Sequence, residues 1–130
     1  MSIEIGNALH AMAIVAPTSA GPAFLGQGNV GFAPFGNGPT LSESLGTGRV
    51  RLRLLDAINF AVGEGVVLTN LFVTSPSFPL NSGLDIHISL PPLISGFDTA
   101  DILVQTTNEG TFSDNAFMVA VLRLPQQSTG

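Results

Sequence analysis

A long uncharged segment near the N-terminus constrains this chain more than any other feature. Between Glu4 and Glu43 there is no Asp, Glu, Lys or Arg, and the segment is rich in Gly, Pro, Asn, Ala and Phe. Gly and Pro interrupt it too often for a long helix, and its apolar content is too high for a solvated linker. We therefore expect it to lie on a protein surface. Because one small domain offers little such surface, the segment favours assembly.

The whole chain is also poor in charge. Charged residues make up 10% of its 130 residues, against about 25% in an ordinary soluble domain. The mean hydropathy is +0.44. With so few charges, the surface is expected to contain uncharged, partly apolar patches. The alternative is a surface that Ser, Thr, Asn, Gln and Gly keep hydrated without charge. Because large patches of this kind usually mark contact surfaces, we expect a homo-oligomer, with a trimer as the expected state.

The composition argues against several classes of protein. The net charge of −5, with four arginines and no lysine, does not suit a nucleic-acid binder. Without cysteine there is no disulfide framework, thiolate nucleophile or Cys-ligated zinc. No basic residue precedes the first apolar stretch, and the unbroken apolar run from Ala11 to Ala16 is far shorter than the ~20 residues of a membrane span. We predict neither a nucleic-acid nor a membrane partner.

The second half of the sequence predicts β-strands. Residues 48–54 alternate between arginine and aliphatic side chains, the period of a strand with one buried face. The strand candidates are 48–54, 65–75, 84–90, 101–107 and 115–124. The last two flank Asn108-Glu109-Gly110-Thr111, a turn-rich link that suits a hairpin between them. Helix is limited to one turn at 41–45, and 59–64 suits a short bend.

Short strands with turns between them predict an all-β fold, an antiparallel β-sandwich or jelly roll with an extended N-terminal arm. We assign residues 1–47 to the arm, 48–125 to the β-sandwich core and 126–130 to a polar tail.

Four apolar side chains of the arm are its expected anchors on neighbouring protein: Phe24, Leu25, Phe32 and Phe35. Burying each is worth about 1.5–3 kcal/mol, whereas ordering the backbone costs about 1–2 kcal/mol per residue. The arm therefore binds only if much of its backbone is also hydrogen-bonded, for example as an added strand.

The last predicted strand is apolar on both faces. The residues that point one way are Ala116, Met118, Ala120, Leu122 and Leu124, and those that point the other way are Phe117, Val119 and Val121. Such a strand is either central between two covered layers or packed in a subunit interface. Met118 and Leu122 are candidate assembly contacts.

Arg49, Arg51 and Arg53 form a row on one strand face, with about 7 Å between neighbours. Such a row suits phosphate or sulfate, or carboxylates of a partner chain. The other reading is an ordinary sheet face, with the arginines balanced by Asp or Glu on a neighbouring strand. The net negative charge disfavours nucleic acid, and the other two readings stay open. The three arginines are candidate assembly contacts.

No motif announces catalysis or a cofactor. Residues 26–31 match GxGxxG, but Pro22 and Pro34 flank them and no helix can start there to meet a pyrophosphate. His10 and His87 are the only histidines and fit no HxH or HExxH pattern.

Four acidic residues gather near the predicted final hairpin: Asp98, Asp101, Glu109 and Asp114. They lack the spacing of a calcium loop, and the chain has no GxSxG elbow. We predict no catalytic, cofactor-binding or metal-binding residues, and no enzymatic activity.

Three segments carry a resemblance to a known group of proteins. They are Gly48-Arg49-Val50-Arg51-Leu52-Arg53-Leu54, Phe60-Ala61-Val62-Gly63-Glu64-Gly65-Val66-Val67-Leu68 and Asp114-Asn115-Ala116-Phe117-Met118-Val119-Ala120-Val121-Leu122-Arg123-Leu124-Pro125. Residues 48–125 thereby resemble small β-sandwich or jelly-roll structural proteins of tailed phages. The resemblance implies a virion component, either a capsid decoration or cement protein or the base domain of a fibre.

We therefore expect a non-enzymatic protein on the capsid surface that binds the major capsid protein, or another virion protein, as an oligomer. The alternative is a carbohydrate-binding β-sandwich module, which could also sit on a phage fibre. Trp and Tyr, which usually stack on sugar rings, are absent. In that alternative Phe would stack on the sugar, and Asn, Asp and Arg would bind its hydroxyls.

Overall fold

The fold is seen in a computed structural model, which describes residues 8–25, 29–36, 41–71, 84–90 and 100–124. These residues form nine β-strands and a 3-10 turn at Phe60–Val62, the short bend expected there. The strands are β1 Leu9–Thr18, β2 Gly21–Phe24, β3 Glu43–Gly46, β4 Arg49–Arg53, β5 Gly65–Leu71, β6 Leu84–Ser89, β7 Asp101–Asn108, β8 Thr111–Phe112 and β9 Phe117–Arg123.

The strands form two antiparallel sheets that pack together as a β-sandwich, which confirms the predicted fold class. Sheet 1 has the order β2-β1-β9-β5, and sheet 2 has the order β3-β4-β7-β6 with β8 added to β7. The chain changes sheet between β2 and β3, β4 and β5, β5 and β6, and β8 and β9. Strands far apart in sequence therefore lie side by side, as they do in jelly rolls.

Alternating side chains build the core between the sheets. In β9 the inward residues Phe117, Val119 and Val121 are buried, and β1 contributes Ala11, Ala13 and Val15 in the same way. Sheet 2 supplies the facing side chains, which include Val50, Leu52, Leu54, Ile102 and Val104. The predicted strands at 48–54, 84–90 and 101–107 are confirmed. Residues 65–75 and 115–124 contain β5 and β9, although 72–75 lie outside the described residues.

The described residues of the N-terminal segment are part of this sandwich, so the segments assigned to an arm at 1–47 and a core at 48–125 fold together. β1 pairs with β2 on one edge and with β9 on the other, so it is an inner strand of sheet 1. β3 pairs with β4 at the edge of sheet 2. The apolar segment packs on its own chain. Its strand β1 hydrogen-bonds to the backbone groups along one edge of β9, which would otherwise lack partners. The tail at 126–130 lies outside the described residues.

The helical turn expected at 41–45 is also wrong, because this segment enters strand β3. Buried Ser42 secures the entry. Its hydroxyl donates to the Ala33 carbonyl at 3.0 Å and accepts from the Arg53 backbone N–H at 3.2 Å. These bonds hold the chain extended beside β4.

The turn at Asn108–Thr111 forms as predicted, but it joins different strands. Glu109 and Gly110 both have positive φ, at 53° and 83°, as in the tight turns of two-residue hairpins. β7 therefore folds back onto β8 over two residue pairs, after which the chain crosses to sheet 1 and becomes β9. The apolar character of both faces of β9 suits a central position in that sheet better than a place beside β7.

Gly48 fixes the tight approach between the β3–β4 turn and the segment after β8. Its N–H donates to Asp114 Oδ1 at 2.6 Å, and its carbonyl accepts from Thr106 N–H at 2.7 Å. Its φ is +70°, and a Cβ there would lie 2.5 Å from the Thr106 carbonyl oxygen and 2.9 Å from Ser113 N. Only glycine meets both conditions.

We expect Gly48→Ala to lower the free energy of unfolding by about 3 kcal/mol or more, because strain at positive φ adds to a clash with fixed backbone atoms. Gly63→Ala is the matched control. Gly63 has φ +77°, and a Cβ added there would have no other atom within 4 Å, so it should lose only the conformational term of about 1–2 kcal/mol. Urea denaturation followed by far-UV circular dichroism measures both. Equal losses would show that the clash is relieved at no cost.

Candidate functional site

The outer face of sheet 1 is almost wholly apolar. Alternation turns the second set of β9 side chains away from the core, and strand pairing extends each into a row across the sheet, since directly paired residues share a face. The rows are Leu9–Leu122–Val66, Met12–Ala120–Leu68 and Ile14–Met118–Asn70. These nine residues are termed the apolar face. Asn70 is its one polar side chain, and none of the nine carries a charge.

Large side chains of the apolar face are open to solvent. Leu68 is 54% exposed, Met118 40% and Val66 39%. Beyond β1 the surface continues through Val30, which bridges to Met12, and Leu25, whose N–H donates to the Ile14 carbonyl. Both are also exposed. A contiguous exposed surface of this kind usually marks a contact site.

The outer face of sheet 2 has the opposite character. Its rows are Arg49–Gln105–His87, Arg51–Leu103–Ser89 and Arg53–Asp101, and we term these residues the polar face. The outward side chains of the two sheets therefore differ in chemistry. Those at the centre of the polar face, Asp101 and Leu103, are buried, whereas several on the apolar face are exposed.

The arginine row makes its contacts inside the chain. Arg53 Nε and Nη2 donate to the two carboxylate oxygens of Asp101 at 2.6 and 2.8 Å. Arg51 Nη2 lies 2.9 Å from Glu43 Oε1. Arg49 places its guanidinium 5.7 Å from the centre of the Phe112 ring, in a cation–π contact. Two of the three arginines are thus balanced by carboxylates of neighbouring strands, as in the ordinary sheet face considered from the sequence.

The Arg53–Asp101 pair is the most deeply placed of these contacts. Asp101 is 0% exposed, and the guanidinium of Arg53 is mostly buried as well. A bidentate pair satisfies the carboxylate with two charge-assisted hydrogen bonds, which offsets the cost of removing it from water. Its role is structural, because it joins β4 to β7.

Three of the four proposed arm anchors pack within the chain, and the burial of Phe32 corrects its assignment as an assembly contact. Phe32 is buried in the core, while Phe24 and Phe35 pack against it. The Phe24 ring centre lies 6.3 Å from that of Phe32 and 4.5 Å from that of Phe35. These rings cover the core next to β1. Leu25 is the most exposed of the four, at 37%.

Met118 and Leu122 lie on the apolar face, as does Leu25 at its margin. Sequence reasoning missed Leu68, Val66, Met12 and Ile14, which complete the face. The apolar residues on both faces of 65–75 were a signal. The pairing that brings β5 and β1 to the two edges of β9 was not visible in the sequence.

The titratable residues serve local structure. His10 Nε2 lies 2.7 Å from the Asp56 carbonyl oxygen, and His87 Nε2 lies 3.2 Å from Asp85 Oδ2 on the solvent side. Asp114 accepts from Gly48, and Glu109 occupies a turn. Asp98 and residues 26–28 lie outside the described residues. In the described ranges, no three His, Cys, Asp or Glu side chains gather as a possible metal site.

A small open cavity of about 220 Å³ lies at one end of the sandwich, between the β1–β2 and β3–β4 turns. Thr18, Ser44, Thr47, Asp114 and Asn115 supply its polar lining. Ligand pockets are usually about 300–1,000 Å³, and the carboxylate here already binds Gly48. The apolar face is therefore the better candidate for a functional surface.

Comparisons with known proteins do not assign the chain. It matches no protein-family model, no curated protein and no solved structure. Within the part of the chain that the structure describes, no helix is long and apolar enough to cross a membrane.

We expect Asp101→Asn to lower the free energy of unfolding by about 3 kcal/mol or more, because it leaves the Arg53 charge mostly buried without its carboxylate. Asp85→Asn removes a carboxylate from an exposed pair with His87 and should change it by less than about 0.5 kcal/mol. Chemical denaturation of both variants gives the comparison. A small loss for Asp101→Asn would mean that water reaches the pair.

Proposed function

We propose that this protein is a non-enzymatic structural protein of a virion, a decoration or cement protein that acts on the capsid surface as an oligomer. The observation that carries the proposal is the apolar face, whose three strand rows carry no charge and include exposed Leu68, Met118 and Val66. The proposed partners are further copies of the chain and the major capsid protein or another virion protein.

Covering the apolar face is favourable because its exposed side chains are large. Full burial of a Leu, Val or Met side chain is worth about 1.5–3 kcal/mol, and Leu68, Met118 and Val66 are each still more than a third exposed. Left open, the same surface would favour non-specific aggregation. A chain that keeps such a surface therefore fits a role as a subunit better than a role as a lone monomer.

The support beneath the apolar face also suits a building unit. β9 is paired along both of its edges, and its inward side chains are fully buried against sheet 2. The face therefore rests on three hydrogen-bonded strands rather than on loops, so little conformational entropy is lost when it binds. On a shell, many copies of such a unit add weak contacts into firm attachment.

The described phenylalanines do not favour the carbohydrate-binding alternative. Phe32 and Phe117 are buried in the core, with Phe24 and Phe35 packed against it. Phe112 is exposed, but the Arg49 guanidinium lies over its ring. Phe112 is therefore the one exposed ring among the described phenylalanines, since Phe60 also packs against the core, and the guanidinium occupies one side of it.

The proposal predicts that the protein is present in washed, density-banded particles of the virus that encodes it, as measured by mass spectrometry. Leu68→Glu should reduce its incorporation at least tenfold, because a carboxylate on the apolar face must be desolvated when that face is covered. Incorporation is measured by adding purified protein to particles that lack it and recovering them by sedimentation.

His87→Glu is the matched control, since it adds one carboxylate at an exposed strand position of the polar face. It should be incorporated like the unaltered protein. A protein expressed in infected cells but missing from washed particles would contradict the virion assignment. Saturable binding to one class of glycan would favour the carbohydrate-binding alternative.

A further inference from the structure

We infer that the apolar face binds the same face of a second copy of this chain, so that two sandwiches stack sheet 1 against sheet 1 about a two-fold axis. This pairing rests on the proposed assembly role and names the partner that covers the apolar face. The surfaces outside the apolar face are then left for other contacts.

The absence of charge makes self-pairing electrostatically neutral. In a two-fold interface the same patch meets itself, so any charge on it would lie close to its own copy. The three rows across β1, β9 and β5 contain no ionisable side chain. Asn70 stands on edge strand β5, where an interface rim stays wet, and its amide both donates and accepts hydrogen bonds.

The relief of the apolar face suits interdigitation. At its centre, small Ala120 is flanked by Met12 and Leu68 in its row and by Met118 and Leu122 along β9. A hollow surrounded by larger side chains lets the projections of one copy enter the recesses of the other. Met12 and Met118 are unbranched and adapt to irregular gaps.

The size of the face sets the strength of the pairing. With the margin at Leu25 and Val30 included, a width of about four strand spacings of 4.8 Å and a length of about three row spacings of 6.7 Å give roughly 400 Å² in projection per copy. Two copies cover roughly 800 Å² in projection and more as accessible surface, against about 1,200–2,000 Å² for stable specific interfaces. This area is below that of stable specific interfaces, so we expect a weak and reversible dimer.

A lipid surface fits the apolar face less well than a second copy does. Proteins that lie on membranes surround their apolar face with Lys and Arg, which attract anionic lipid. This chain has no lysine, and Arg49, Arg51 and Arg53 project from the opposite face of the sandwich. The net charge of −5 would be repelled by such a membrane.

The pairing predicts a dimer rather than the trimer expected from the sequence. Two sheets that stack face to face lie about 10 Å apart with their strands within about 30° of each other. Because the interface is the same patch on both copies, it closes at two subunits.

The first test measures molar mass by sedimentation equilibrium from low-micromolar to near-millimolar concentration. The unaltered chain should pass from 13.4 kDa to twice that mass. Leu68→Glu should weaken the dimer at least about 100-fold, because two carboxylates are buried per dimer. His87→Glu should dimerise like the unaltered chain. Circular dichroism checks that both variants fold, which is expected since both positions are exposed.

The second test uses the absence of cysteine from the chain. With packed sheets about 10 Å apart, a cysteine pair at the centre would be too distant for a disulfide, but a short bismaleimide can join it. Ala120→Cys should give a covalent dimer in high yield. His87→Cys, on the polar face, should stay monomeric under the same conditions.

A chain that stays monomeric, forms a trimer, or dimerises equally well as Leu68→Glu would overturn the pairing. Because both tests use the purified chain alone, they separate this inference from the proposed function. A monomer that is still incorporated into virus particles would leave the virion role standing, with a different protein over the apolar face. A dimer that is absent from virus particles would support the pairing and contradict the virion role.

Discussion

β9 is hydrogen-bonded along both of its edges, to β1 on one side and to β5 on the other, and the rest of the molecule is arranged around it. Its inward side chains occupy the middle of the core, where Leu52, Ile102 and Val104 of sheet 2 meet them. Its outward side chains form the centre of the apolar face. One strand thus connects the interior of the protein to the surface that we propose for assembly.

Charge is handled very differently in the two sheets. In sheet 2, Arg53 and Arg51 are neutralised by Asp101 and Glu43 of adjacent strands, so the polar face is largely self-sufficient. Among the described residues, the three rows on the outer face of sheet 1 carry no charges to pair. The few charged residues are therefore distributed unevenly: the polar face contains ion pairs, whereas the apolar face contains no charge and is open to contact.

The sequence located the strands of the second half, but it missed β1, β2 and β3, which it assigned to the arm. Alternation located β4 and β6, and the residues at 108–111 indicated their turn, because these signals are local. Which strands pair depends on contacts across the whole chain, so the union of β1 with β9 could not be read from spacing. The same limit explains why Phe32 was assigned to an interface although it fills the core, and why Met118 was identified without its neighbours Leu68 and Met12.

The pairing of β1 with β9, strands near opposite ends of the chain, also affects the order in which the protein folds. β9 follows the eight other strands that the structure describes, and sheet 1 consists of two separate pieces until β9 pairs with β1 and β5. Closing such distant segments is slow compared with forming local hairpins. The apolar face is therefore completed last. In the proposed assembly, only subunits that have finished folding carry the complete apolar face, so pairing through that face would follow folding.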